Sequence, residues 1–193
     1  PIARVGLPLV FLLLIVAAVY YIFFYPRQIE QTVYPLAYRQ EIDQYSKQYG
    51  LDPARVAAVI YCESSFRPEA VSSAGARGLM QIMPDTGEWI AGKLGEGDYT
   101  HEGLFEPERN IRYGCWYLNY LENRFDADIV KVTAAYHAGG GRVDEWLGNE
   151  AYSKDGETLS SIPSDATSTY VKRVQAAYAK YKEIYADEAK KGR

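Results

Sequence analysis

Asp52-Pro53-Ala54-Arg55-Val56-Ala57-Ala58-Val59-Ile60-Tyr61-Cys62-Glu63-Ser64-Ser65-Phe66 reads as a helix with an acid on its apolar face. Asp52 is a good N-cap. Pro53 is a good first helical residue, since its missing N–H would go unpaired there anyway. Val56, Val59 and Ile60 recur at i, i+3 and i+4, and Glu63 follows at i+7. The carboxyl group is therefore expected on the core side. Desolvation of that kind raises a carboxyl pKa and keeps the proton bound near neutral pH, the state a general acid needs. On its own, a helix-end Glu of this kind is more often a structural residue paired with an Arg. The surrounding sequence decides between the two.

Downstream lies Ser72-Ser73-Ala74-Gly75-Ala76-Arg77-Gly78-Leu79-Met80-Gln81-Ile82-Met83-Pro84, whose small residues permit tight turns and close backbone approach. Much later comes Ala135-Tyr136-His137-Ala138-Gly139, and later still Tyr170-Val171-Lys172-Arg173-Val174. With Glu63-Ser64-Ser65-Phe66 and Gly78-Leu79-Met80-Gln81, these blocks resemble the lytic transglycosylase family of peptidoglycan-cleaving enzymes, in the family's order and spacing from about Leu51 to Val174. The resemblance implies an all-α, lysozyme-like (goose-type) helical domain. It also implies cleavage of the β-1,4 bond between N-acetylmuramic acid and N-acetylglucosamine, leaving a 1,6-anhydromuramic end.

In the family a single Glu acts as acid and then base, where most glycosidases use two carboxyl groups. The resemblance assigns that role to Glu63. It implies that Ser64 orients the carboxylate, and that Ser72, Met80, Gln81, Tyr136, His137 and Tyr170 line the glycan cleft or steady developing charge. Plain core packing is an equally good reading of Met80 and Tyr136. Two positions depart from the pattern: His137 stands where the family carries Asn, and Ala166, three residues after Pro163, stands where it carries Glu. No cofactor is implied, and the glycan strands of peptidoglycan are the expected partner. Protein partners in cell-wall synthesis or division are not legible in the sequence. Two rival functions remain: a hydrolytic muramidase on the same fold, and a glycan-binding module without turnover. A buried acid argues against the second, since a pure binder does not need one.

The N-terminus differs sharply in composition. From Val5 to Pro26 there is no charged residue, and Leu7 to Phe24 is almost wholly apolar. About 20 such residues span a bilayer's hydrocarbon core. The run ends in large aromatics and Pro26, unlike a signal-peptide cleavage site, with Tyr20, Tyr21 and Tyr25 placed as an interfacial belt. Residues 1–27 are accordingly predicted to be an N-terminal transmembrane anchor and residues 28–193 a catalytic domain. The expected placement is single-pass in the cell membrane, with that domain on the extracytoplasmic side.

Setting aside Arg4 and Arg27, the remainder has 19 basic against 25 acidic residues, a formal charge of −6. An acidic domain without a Lys/Arg cluster is a poor nucleic-acid binder. It also gains little steering toward an anionic polymer, so recognition should rest on hydrogen bonds and on stacking, for which 18 Tyr and three Trp are available. The two Cys and two His form no Cys-x-x-Cys or His-Glu-x-x-His pattern, so no metal site is expected. Cys62 and Cys115 allow a disulfide in an oxidising space, or stand as two buried thiols.

Helical periodicity accounts for the rest of the chain. Helices are predicted from Glu30 to Tyr49, with Tyr38, Ile42 and Tyr45 on one face, and from Pro84, with Trp89 and Ile90 inward. Another starts at Pro107, with Ile111, Cys115, Leu118, Leu121 and Phe125 on one stripe. Further helices are predicted from Ile129 to Tyr136 behind an Asp128 cap and from Tyr170 to Lys190, with Val143, Trp146 and Leu147 on a short turn and Asn149 to Ser161 as a loop. No alternation of period two appears. Gly139-Gly140-Gly141 follows a helix and lacks a P-loop Lys, which makes it a C-cap and hinge and not a phosphate loop.

Overall fold

Every residue from Ala54 to Ile60 is buried. A helix that is apolar on nearly all faces is stable only when covered on all sides, and that requirement makes Pro53–Ser64 the centre of the domain. The computed structural model describes residues 3–24 and 32–191. The chain divides into two units, Pro1–Leu36 and Ala37–Arg193.

In the first unit, helix α1 (Ala3–Val19) runs directly into a π-helical turn, Tyr20–Phe24. The side chains of Val10 to Val16 that are large and apolar are exposed, as are Val19 to Ile22. No helix among the described residues is long and apolar enough to cross a membrane. α1 itself has 17 residues, about 26 Å at 1.5 Å per residue, against a hydrocarbon core of about 30 Å. Tyr25, Pro26, Arg27, the boundary between residues 27 and 28 and the predicted helix start at Glu30 lie outside the described residues.

The second unit is built of helices α2 (Arg39–Tyr49), α3 (Pro53–Ser64), α4 (Pro84–Leu94), α5 (Pro107–Arg124), α6 (Ile129–Ala138), α7 (Gly140–Leu147) and α8 (Asp165–Lys191), with a 3-10 turn at Glu102–Phe105. Among the described residues there is no strand, only isolated antiparallel bridges joining Val71 to Arg77 and Arg77 to Ile82. α3 packs most extensively on α8, whose Val171, Val174, Ala177 and Tyr181 are buried. The predicted α5 stripe is the buried face of that helix: Ile111, Cys115, Leu118, Leu121 and Phe125 are each at most 3% exposed.

Four expectations need correction. The helix predicted to run to Tyr49 is not continuous in its described part: residues 34–38 are non-helical, because Pro35 disfavours helix at the residue before it and Tyr38 is left-handed at φ 57°, and α2 begins at Arg39. Trp89 does not point inward; it is 37% exposed and joins a surface cluster of rings, while Ile90 is fully buried. The segment around Val143 and Trp146 is a helix, α7, and α8 begins at Asp165, five residues before Tyr170.

Candidate active site

α3 delivers Glu63. Its N-terminus is capped as the sequence suggests, with Asp52 Oδ1 accepting from the Ala54 N–H at 2.9 Å and Pro53 in the first turn. Immediately after Glu63 and Ser64 the chain turns through two left-handed residues, Ser65 at φ 51° and Phe66 at φ 62°. Such backbone persists in non-glycine residues only where the surroundings enforce it. Here Phe66 is buried against Tyr181.

The Glu63 carboxyl is pushed up to about 7 by burial; the hydrogen bond from Tyr170 and the charge of Arg173 oppose that rise. Tyr170 donates its phenol proton to Glu63 Oε1 at 2.5 Å. Burial and the Glu63 charge hold the Tyr170 phenol well above its ordinary value, so it remains a donor. Arg173, one turn along α8, also donates to the Cys62 carbonyl at 3.3 Å. Among the described residues, Arg173 is the charged group that bears on Glu63, and no second carboxylate does.

The Gly78-Leu79-Met80-Gln81 turn is fastened beside this acid. Ser64 does not touch the Glu63 carboxylate: its buried hydroxyl donates to the Leu79 carbonyl at 2.8 Å and is 3.2 Å from the Ile60 carbonyl, which ties the end of α3 to the turn. Met80 is fully buried, and a Cβ at Gly114 would sit 2.1 Å from its sulfur, so α5 needs glycine there. The Met80 carbonyl accepts the Tyr136 phenol proton at 2.8 Å. Burial and the Glu63 charge also raise Tyr136 well above the ordinary phenol value. Gln81, left-handed at φ 47°, uses its amide on the Ala70 and Gly78 carbonyls at 3.0 and 2.9 Å. Ser72 makes its hydrogen bonds within its own turn, accepting from the Ala76 N–H at 3.0 Å.

His137, exposed at the end of α6, has Nδ1 3.1 Å from the buried Thr167 hydroxyl and its ring 4.6 Å from that of Tyr170. Partial burial holds its pKa below the ordinary imidazole value. Glu63, Tyr170, His137, Tyr136 and the Met80 main chain thus form one connected cluster, with Ser64 and Gln81 bracing the turn behind it. Ala166 is exposed in the first turn of α8.

Sequence reasoning missed Asn110. This side chain has no exposed surface; it accepts from the Met80 N–H at 2.7 Å and donates to the Leu104 and Arg77 carbonyls at 2.7 and 2.9 Å. Gly78 yields to it: at φ 78°, a Cβ there would lie 2.2 Å from the Asn110 amide. The signal was present, since Asn110 shares a helical face with Gly114, Tyr117 and Leu121. Among the described residues no group of His, Cys, Asp or Glu could hold a metal ion. Cys62 and Cys115 are free thiols, the first pushed up to about 11 by burial and the second raised further.

The family model described as Transglycosylase SLT domain matches residues 40–159. The chain belongs to the SLT transglycosylase family. The match stops short of Tyr170 and Arg173, which come from the following helix. One relative is the soluble lytic murein transglycosylase of Salmonella typhimurium, 39% identical over 151 residues, or 77% of this chain and 23% of that protein. Another is membrane-bound lytic murein transglycosylase C of Photorhabdus laumondii, 38% identical over 113 residues, or 53% of this chain and 31% of that protein. The X-ray structure of an inactive Glu-to-Gln mutant of lytic transglycosylase Slt from Pseudomonas aeruginosa superposes with a TM-score of 0.70 at 33% identity, covering 79% of this chain and 25% of that one. The SLT chain therefore spans about a quarter of the length of the soluble relatives it matches, and its domain has their helical, lysozyme-like fold.

Proposed function

We propose that this SLT protein is a peptidoglycan lytic transglycosylase in which Glu63 is the single general acid and base. The observation that carries the reading is a carboxyl group pushed up to about 7 by burial, held by a buried phenol and, among the described residues, without a second carboxylate bearing on it. Glu63 gives its proton to the glycosidic oxygen as the bond from muramic C1 breaks. The C6 hydroxyl oxygen of the same muramic residue then bonds to C1, and its proton returns to the Glu63 carboxylate. No water is consumed and no protein nucleophile is needed; an attacking group already attached to the substrate gains by proximity. Support comes from relatives named as lytic murein transglycosylases and from the inactivity of a Glu-to-Gln form of one of them.

In this reading Tyr170 steadies the carboxylate formed after the first transfer. His137 and Tyr136 flank the cleft, and Ser64, Met80 and Gln81 hold its wall; Ser72, bonded within its own turn, is read as a further substrate contact. The apolar segment is read as a membrane anchor with the enzyme domain outside. In support, α1 and the π turn together form an uninterrupted helical stretch, Ala3 to Phe24, with large apolar side chains uncovered. Mass spectrometry of muropeptides released from purified peptidoglycan tests the chemistry. Ends lighter by one water than hydrolytic ends are expected. Ordinary reducing ends carrying oxygen from labelled water would make the protein a muramidase.

A further inference from the structure

His137 bridges α6 to the helix that carries Tyr170. α6 packs against α8, and where they meet the exposed imidazole lies on the Tyr170 ring, 4.6 Å between centroids and tilted by 31°. Its Nδ1 is 3.1 Å from the Thr167 hydroxyl. Thr167 is 2% exposed and stands three residues before Tyr170, hence on the same face of α8. It is held in turn by Ser164, whose Oγ accepts the Thr167 N–H at 3.2 Å and the Thr167 hydroxyl proton at 3.1 Å. Because that hydroxyl proton goes to Ser164, the hydrogen in the bond to His137 belongs to Nδ1, and the bond survives protonation of the ring.

We propose that His137 is a positioning residue for the acid: bonded to Thr167, its ring holds Tyr170 so that the phenol stays on the Glu63 carboxyl. The proposal rests on Glu63 being the general acid and names what keeps its hydrogen-bond partner in place. A phenol holds its direction only as well as its ring is held, and Tyr170 lies 107 residues from Glu63, too far along the chain for local geometry to fix the pair. Asn, which the family carries at position 137, can also bond to a hydroxyl but has no ring face to lay against Tyr170. Charge is not the means. Partial burial holds the imidazole below its ordinary value, so it is neutral around pH 7, where Glu63 titrates. Arg173, Cys62 and Tyr136, the other groups whose charge bears on Glu63 or Tyr170, are untouched by a change at residue 137.

The test follows the activity of the full chain in detergent on peptidoglycan as a function of pH, and reads the alkaline limb that Glu63 sets near pH 7. His137→Ala should move that limb up by about half a pH unit, the order of one aromatic contact. In the Tyr170→Phe background the same change should move it no further, since the phenol through which His137 acts is gone. Thr167→Val should shift the limb in the same direction; Thr167 is too buried to touch substrate, so its effect travels through the clamp. A rise in KM with the limb unmoved would make His137 a substrate contact and nothing more. A shift that adds to that of Tyr170→Phe, or a Thr167→Val protein that behaves as wild type, would also overturn the clamp. Each of these outcomes leaves the transglycosylase reading intact. A wild type with no alkaline limb near pH 7 would overturn both.

Discussion

Glu63→Gln should make the protein more stable above neutral pH even as it destroys activity. The ordinary carboxyl value of 4.5 is the unfolded reference, and burial pushes the folded value up to about 7. Between those values the unfolded chain has released the proton while the folded chain still holds it. Stability conferred by the protonated form is complete below about 4.5 and is lost as pH rises through about 7. The gap corresponds to about 3 kcal/mol at about 1.4 kcal/mol per pH unit. Gln does not titrate, keeps the shape, and can still accept from Tyr170, so it should recover most of that loss. For a domain of this size the gain corresponds to a rise in Tm of about 6–12 °C at pH 8. Thermal unfolding of both proteins, followed by circular dichroism at pH 8 and pH 4, measures it. The difference should close on acidification. A variant no more stable than wild type at pH 8, or a gap that persists at pH 4, would refute the claim that Glu63 is buried at a cost.

Activity of Glu63→Gln on peptidoglycan should fall by about 10²-fold or more; retention of a tenth of wild-type turnover would remove Glu63 from its role. Activity of the wild type should decline as pH rises through about 7, where Glu63 loses its proton. In Tyr170→Phe that limb should move to higher pH, because the hydrogen bond that favours the carboxylate is gone; an unmoved limb would separate Tyr170 from the acid. Asn110→Ala leaves the Met80 N–H and the Leu104 carbonyl unpaired in the core and removes one of two donors to the Arg77 carbonyl, a destabilisation of about 2–4 kcal/mol; denaturant unfolding showing less than about 1 kcal/mol would contradict the bracing argument. Both Cys62 and Cys115 should react with a thiol reagent in denatured, unreduced protein, and a failure to label would establish an oxidised pair.

What local spacing can reveal was readable in the sequence. The Asp52-Pro53 start, the buried face of α3 and the stripe from Ile111 to Phe125 all follow from side chains three or four residues apart. What the sequence conceals depends on partners far apart in the chain. Tyr170 lies 107 residues from Glu63, and Asn110 lies 30 from Met80. Ser64, one residue from Glu63, was expected to orient it. On a helix, however, adjacent side chains diverge by about 100°, and the hydroxyl instead meets Leu79. Trp89 misled for a related reason: helical periodicity says which residues share a face, and here its face meets other aromatic rings at the surface instead of the core.

The arrangement also accounts for how one carboxyl can serve twice. In the proposed reaction Glu63 must first give up a proton and then recover one, so both states have to lie within reach at working pH. Burial alone would hold the acid protonated and leave it a poor donor. Tyr170 and Arg173 favour the carboxylate and draw the value back to about 7. Tyr170 can do this because its own proton is held too tightly to be lost, so it stays a donor through both transfers. Tyr136 has similar surroundings, yet its proton is directed to the Met80 carbonyl and does not compete for Glu63. The fixed turn carrying that carbonyl, braced by Asn110, Ser64 and Gln81, is what keeps the two phenols on different acceptors.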